Sequence, residues 1–252
     1  LGILINMQLN SKNIYDALLE KGVTNFYHAN SVRTSLTFIK EKAFVSRAYV
    51  EDGKLDQTDQ YTDTKDKDLG IWDSVFLDAQ DLHNHFGINH YGPVLFELDL
   101  KLLLDPDFTT VQITKTNPAN WVVDSPRFFE SVDDFKGKYL KDGNFDKYYD
   151  SGVMFVFSSP GKKFDLKKYC RRIILDDPKI TFTDDSTVFA KVKNTIEETL
   201  NQNGLIIPIV SRLADGKSHH YCAFQYRRMW NHQKEEFEKL FAKKQDNQPL
   251  ES

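Results

Sequence analysis

An α+β fold is predicted for this chain of 252 residues, and three observations lead to it. Helical periodicity is strong near both ends, at Ile14 and Leu18 and again at Val188, Val192, Ile196 and Leu200. The middle is punctuated instead by short apolar runs of strand length, such as residues 153–157 and 172–175. No Pro/Gly/Ser-rich linker divides the chain and no internal repeat is visible. One principal domain with embellishments is therefore expected.

The elements follow in order. Residues 11–22 read as a helix capped by Ser11 or Asn10, with Ile14, Leu18 and Leu19 on one face and Gly22 as its stop. Residues 26–28 form a short strand and 32–42 a second helix, whose apolar positions include Leu36 and Ile39. Residues 49–70 hold seven acidic residues against three lysines and read as a mobile loop, one that closes over a ligand or is simply solvated. Strand signals follow at 71–77, 93–98 and 109–114, with Trp121 in a later turn. Residues 126–141 look helical, 153–157 and 172–175 are strands, and Asp176-Asp177-Pro178 is a stop. Beyond it, the helix through Val188 and Leu200 ends at Asn203-Gly204. Strands at 205–210 and 219–225 flank a turn at Asp215-Gly216, and a last helix at about 228–244 bears Trp230, Phe237, Leu240 and Phe241.

Composition narrows the function classes. A net charge of -4 argues against a protein that coats nucleic acid generically, while leaving room for a local basic groove. Cys170 and Cys222 are far apart and lack metal-type spacing, which points to a reduced, cytoplasmic protein. The initial Leu-Gly-Ile-Leu-Ile has no charged n-region, and no run reaches membrane-spanning length.

The stretch from Tyr27 to Arg47 is the most informative. His28 and Asn30 end a short apolar run directly before a helix, so an imidazole sits beside backbone groups that a helix start leaves unpaired. Such a place suits a nucleotide, or a purely local hydrogen bond. Arg47 closes the helix and is placed either to reach a phosphate or to form a surface ion pair. A second cluster holds Asp78, Asp81, His83, His85 and His90. These types suit a divalent cation, but spacings of 3, 2, 2 and 5 do not form one helical face, and no metal site is expected. In residues 161–172, Lys162, Lys163, Lys167, Lys168, Arg171 and Arg172 alternate with Phe164 and Tyr169. That pattern fits single-stranded nucleic acid, or a solvated face whose two rings enter the core.

On these residues the chain resembles the DarT-like ADP-ribosyltransferases. Tyr27-His28 followed by Asn30, then a short helix and Val45-Ser46-Arg47, matches the opening of that family, with Ala43 where a glycine is expected. The Val75-Phe76-Leu77-Asp78 strand, the run Tyr91-Gly92-Pro93-Val94-Leu95-Phe96 and the finish at Ile173 to Pro178 come in the family's order, so the likeness spans roughly residues 25–178. It implies a split β-sheet core with flanking helices over 1–178, and a C-terminal α/β extension over 179–252 that recognises the acceptor or binds an antitoxin protein. It also implies NAD as substrate, bound by His28, Asn30, Gln57, Asp63 and Phe76.

Transfer of ADP-ribose needs a carboxylate beside the cationic ribose that forms when nicotinamide leaves. The family's glutamate at the start of a late strand has no counterpart before Val153. Asp150 is the nearest carboxylate, with Asp63 or Glu130 as substitutes. The resemblance thus implies a transferase toxin of a toxin–antitoxin or phage-defence system. It modifies single-stranded DNA or RNA, with Arg47 and Asp150 catalytic and Lys162, Lys163, Lys167 and Arg171 on the acceptor. Two alternatives stand beside it: a protein acceptor, and a non-catalytic module that binds NAD or RNA.

Overall fold

The computed structural model describes residues 7–60, 62–81, 83, 91–121, 126–140, 153–158, 163–212 and 221–243. Within them the chain is α+β. One four-stranded sheet runs in the order β1 (Leu9–Asn10), β6 (Thr110–Ile113), β7 (Phe155–Ser158) and β4 (Ser74–Leu77), antiparallel throughout. The other has the order β10 (Ile209–Ser211), β9 (Cys170–Leu175), β5 (Val94–Asp99) and β2 (Asn25–Asn30). Only its β10–β9 pair is parallel. A two-stranded pair joins β3 (Ala43–Phe44) to β8 (Phe164–Asp165).

The edge strands β2 and β4 meet at one isolated bridge. Tyr27 N–H donates to the Asp78 carbonyl at 2.8 Å, and Asp78 N–H returns the bond to Tyr27 at 2.9 Å. On the far side of that bridge the ladder stops, and the two sheets splay. Behind the splay, Phe26 packs on Phe155 at 4.8 Å between ring centroids. Phe44 sets its edge against Phe96 at 4.9 Å, which closes an aromatic core between the layers.

Helices flank the sheets. α1 (Ser11–Glu20) takes Asn10 as its cap, the side chain accepting from Asn13 N–H at 3.0 Å, and buries Ile14, Ala17 and Leu18. α2 (Val32–Glu41) is capped by Ser31 and ends on Lys42 in the left-handed region. Residues 49–70 are not the loop expected from their charge. They hold α3 (Arg47–Asp52) and α4 (Asp63–Asp68), and the chain between them is pinned along α2. Thr37 donates to the Asp56 carbonyl at 2.5 Å, and Thr58 N–H donates to Thr34 Oγ1 at 3.0 Å. The helix expected at 126–141 is confined to α5 (Val132–Lys138) among the described residues, and α6 (Leu166–Tyr169) is a single turn.

The C-terminal stretch completes the second sheet through β10. α7 (Val188–Gln202) follows the four-residue spacing and lies against α2. The strand expected at 219–225 is corrected: from Tyr221 the chain is α8 (Tyr221–His232), and α9 (Lys234–Phe241) follows after a break at Gln233. Ala223, Tyr226 and Met229 are buried at three-residue intervals, a helical period that outweighs the apparent alternation. Among the described residues no helix is long and apolar enough to cross a membrane.

Candidate functional site

The splay between β2 and β4 opens into a cavity of about 420 Å³, within the range of small-molecule sites. The end of β2 contributes His28 and Asn30, α2 contributes Thr34 and Phe38, and Arg47 enters from α3. Gln57 and Gln60 come from the pinned segment, Trp72 and Phe76 from β4 and its approach. Met154, just before β7, closes the other side.

His28 has one tautomer in this setting. Its Nδ1 lies 2.7 Å from the Phe76 carbonyl, which only accepts, so Nδ1 bears the proton. The Asn30 amide nitrogen then donates to the unprotonated Nε2 at 2.8 Å. Burial, opposed by the Phe76 hydrogen bond and aided by the Arg47 charge, pulls the imidazole down to about 4. It is neutral at physiological pH. The imidazole thus spans β2 and β4 where their backbone pairing has ended.

Arg47 is held from two sides. Its Nη2 donates to Asp63 Oδ2 at 2.8 Å and to the Thr58 carbonyl at 3.1 Å, and its guanidinium lies 5.1 Å from the Trp72 ring. Lys67 approaches the same ring at 4.6 Å. Among the described residues, the buried Nε of Arg47 and Oε1 of Gln57 have no protein partner. Such atoms await a ligand's polar groups or water.

Among the described residues, two carboxyls line the cavity, Asp66 and Asp78. Burial raises the proton affinity of Asp66, against a hydrogen bond from Thr62. Burial, with the nearby Asp81 charge, pushes Asp78 up to about 8.

The expected residues are distributed as follows. His28, Asn30, Arg47, Gln57 and Phe76 converge on the cavity. Asp63 does not line it and serves as the anchor of Arg47. Glu130 pairs with Lys115 at 3.5 Å on the surface, away from the cavity. Asp150 and Lys162, with His85 and His90, lie outside the described residues.

Asp81 and His83, weighed as metal ligands, are engaged elsewhere. Asp81 accepts from Arg212 Nη1 at 2.7 Å, and His83 Nδ1 sits 2.8 Å from Asp176. Arg212 Nε donates to the other Asp176 oxygen at 2.5 Å, and Tyr226 reaches the same carboxylate at 3.2 Å. Asp176, read as part of a stop, is therefore the centre of a buried ionic cluster.

The basic segment turns its rings inward. Phe164 and Tyr169 are buried, so they offer no stacking face. Lys163 binds Glu41 at 3.1 Å, Lys168 binds Asp105 at 3.1 Å and Arg171 binds Asp99 at 3.0 Å, while Lys167 is exposed. None of these cations lines the cavity.

Sequence reasoning missed Trp72, Asp66 and the Asn117-Pro118-Ala119 turn as cavity wall. The turn is a Pro-started 3-10 helix whose Ala119 carbonyl accepts from Lys65, a contact that no local pattern signals. No protein-family model matches the chain, and no curated protein matches it.

Proposed function

We propose that this protein is an NAD-dependent ADP-ribosyltransferase that modifies a nucleic-acid acceptor. One observation supports the reading above others: the neutral His28, its partner Asn30, and Arg47 converge with Met154 on a single cavity at the point where the two sheets part. That arrangement agrees with the split-sheet core implied by the resemblance. The cavity also offers complementary surfaces. Phe38, Trp72 and Phe76 supply planar apolar walls for a nicotinamide or adenine ring. Arg47 supplies the charge a diphosphate needs, and Gln57 supplies an amide for ribose hydroxyls. The acceptor class rests on the resemblance alone.

The test uses NAD labelled in its adenylate half, with single-stranded DNA, RNA or a cell lysate as acceptor. Label on nucleic acid supports the proposal. Label on protein alone moves the acceptor to a protein, and calorimetric NAD binding without turnover points to a binding module. His28→Ala removes the hydrogen bonds to Phe76 and Asn30 and is expected to abolish NAD binding. Unchanged binding by that variant overturns this cavity as the NAD site.

A further inference from the structure

Asp78 lines the cavity, and its side chain has no protein partner among the described residues. Its backbone is fixed by the bridge to Tyr27, yet its side chain makes no hydrogen bond or ion pair among the described residues. The groups around it can be named. Asp81 stands three residues on, with its charge held by Arg212 at 2.7 Å. Tyr27 stands opposite it across the bridge on β2, and the neutral His28, Arg47, Asp66 and Tyr91 line the same cavity. Asp176, His83 and Tyr226 lie behind Arg212.

Resting on the transferase reading, we propose that Asp78 is the acid–base carboxyl of this cavity and takes the acceptor's proton during transfer. The bond between ribose C1′ and nicotinamide breaks, and its electron pair leaves with nicotinamide, which departs neutral. The acceptor heteroatom forms the new bond to C1′, and its proton passes to the Asp78 carboxylate and then to solvent. Burial and the Asp81 charge together favour the protonated carboxyl, with a midpoint of about 8, so the ionised fraction is a stronger base than an exposed aspartate and transfer should rise with pH up to that midpoint. Arg212 holds the Asp81 carboxylate in place at 2.7 Å, so the C-terminal segment positions the charge that acts on Asp78. Asp81 and Arg212 are positioning residues.

Carboxyl-¹³C-labelled aspartate in the full chain tests this directly. The resonance lost in Asp78→Asn is expected to titrate near pH 8 and to move on addition of NAD. In Asp81→Asn it is expected to titrate about one pH unit lower. Single-turnover transfer by Asp78→Asn should fall about 100-fold or more, with the NAD Kd within about threefold of the original and partial recovery in Asp78→Glu. A resonance titrating below about pH 5, or a transfer rate within about threefold of the original protein, overturns the assignment while NAD binding and turnover persist. Absence of NAD binding in calorimetry overturns the transferase reading, and this assignment with it.

Discussion

At the scale of single residues, the site depends on one side chain and one glycine, each constrained by neighbours distant in sequence. His28 is neutral and bears its proton on Nδ1 because a backbone carbonyl 48 residues away accepts it. Gly92 decides how closely β5 can approach the end of β2. Its φ is +135°, and a Cβ there would lie 2.4 Å from both the Asn30 carbonyl oxygen and the Ser31 nitrogen. Gly92→Ala is therefore expected to lower stability by about 3 kcal/mol, from strain and overlap together. A shift of the urea midpoint at unchanged slope measures this, and a shift under half a molar contradicts it. His28 and Asn30 were legible in the sequence because they stand at a strand end before a capped helix. The role of Phe76 was legible only as a ring, since a carbonyl leaves no mark in the residue type.

At the scale of elements, α3 and α4 are six-residue helices, too short to persist alone. Tertiary contacts hold them. Ser46 caps α3 by accepting from Tyr49 N–H at 3.1 Å and donates to Asp73 at 2.6 Å. Glu51 accepts from Lys67 at 2.6 Å and from the Trp72 indole at 2.8 Å, which joins α3 to α4 across the ring. This is why residues 49–70 looked like a loop: their local propensity is weak, and the partners that order them are distant. The same elements orient Arg47, with Asp63 at the start of α4 as its anchor. Asp63→Asn keeps the shape and loses the charge. It is expected to weaken NAD binding about tenfold with little change in melting temperature, as read by calorimetry and thermal unfolding. An unchanged Kd would show that Arg47 needs no anchor.

At the scale of the whole molecule, the C-terminal segment is bound to the core by buried charge. Arg212 lies 131 residues from Asp81 in sequence and bridges it to Asp176. Burial alone would raise the Asp176 carboxyl, but His83 and Arg212 outweigh it and hold the group below the usual carboxylate range. Arg212→Ala leaves Asp176 and Asp81 without the guanidinium that pairs them and is expected to cost about 3–5 kcal/mol in chemical denaturation.

Stability should also depend on pH in a diagnostic way. His28 is depressed from 6.5 to about 4, so the unfolded chain binds more protons between those values, and this contribution is lost as pH falls from 6.5 through 4. Asp78 acts in the opposite sense. Its folded carboxyl keeps a proton up to about 8 while the unfolded one releases it near 3.8, so this contribution is lost as pH rises through that window. The two slopes oppose each other below 6.5. Between 6.5 and 8 the Asp78 slope remains, worth about 2 kcal/mol. Denaturant unfolding at pH 6.5 and 8 should show that loss, and Asp78→Asn should abolish it.

The sequence by itself determined the α+β class, the long helix α7, the central strands and the placement of His28 and Asn30 at a strand end, whereas Arg47, read as closing the helix at 32–42, opens α3 instead. Those features follow from local periodicity, capping and chain breaks, which a linear reading contains. The fold of 49–70, the helical fate of 221–225 and the anchoring role of Asp63 were decided only by tertiary structure. So were the inward turn of Phe164 and Tyr169 and the protonation states of His28 and Asp78. Each depends on burial or on a partner far along the chain. The energies of hydrogen bonds and charges follow their three-dimensional surroundings, and these exist only once the sheets have met.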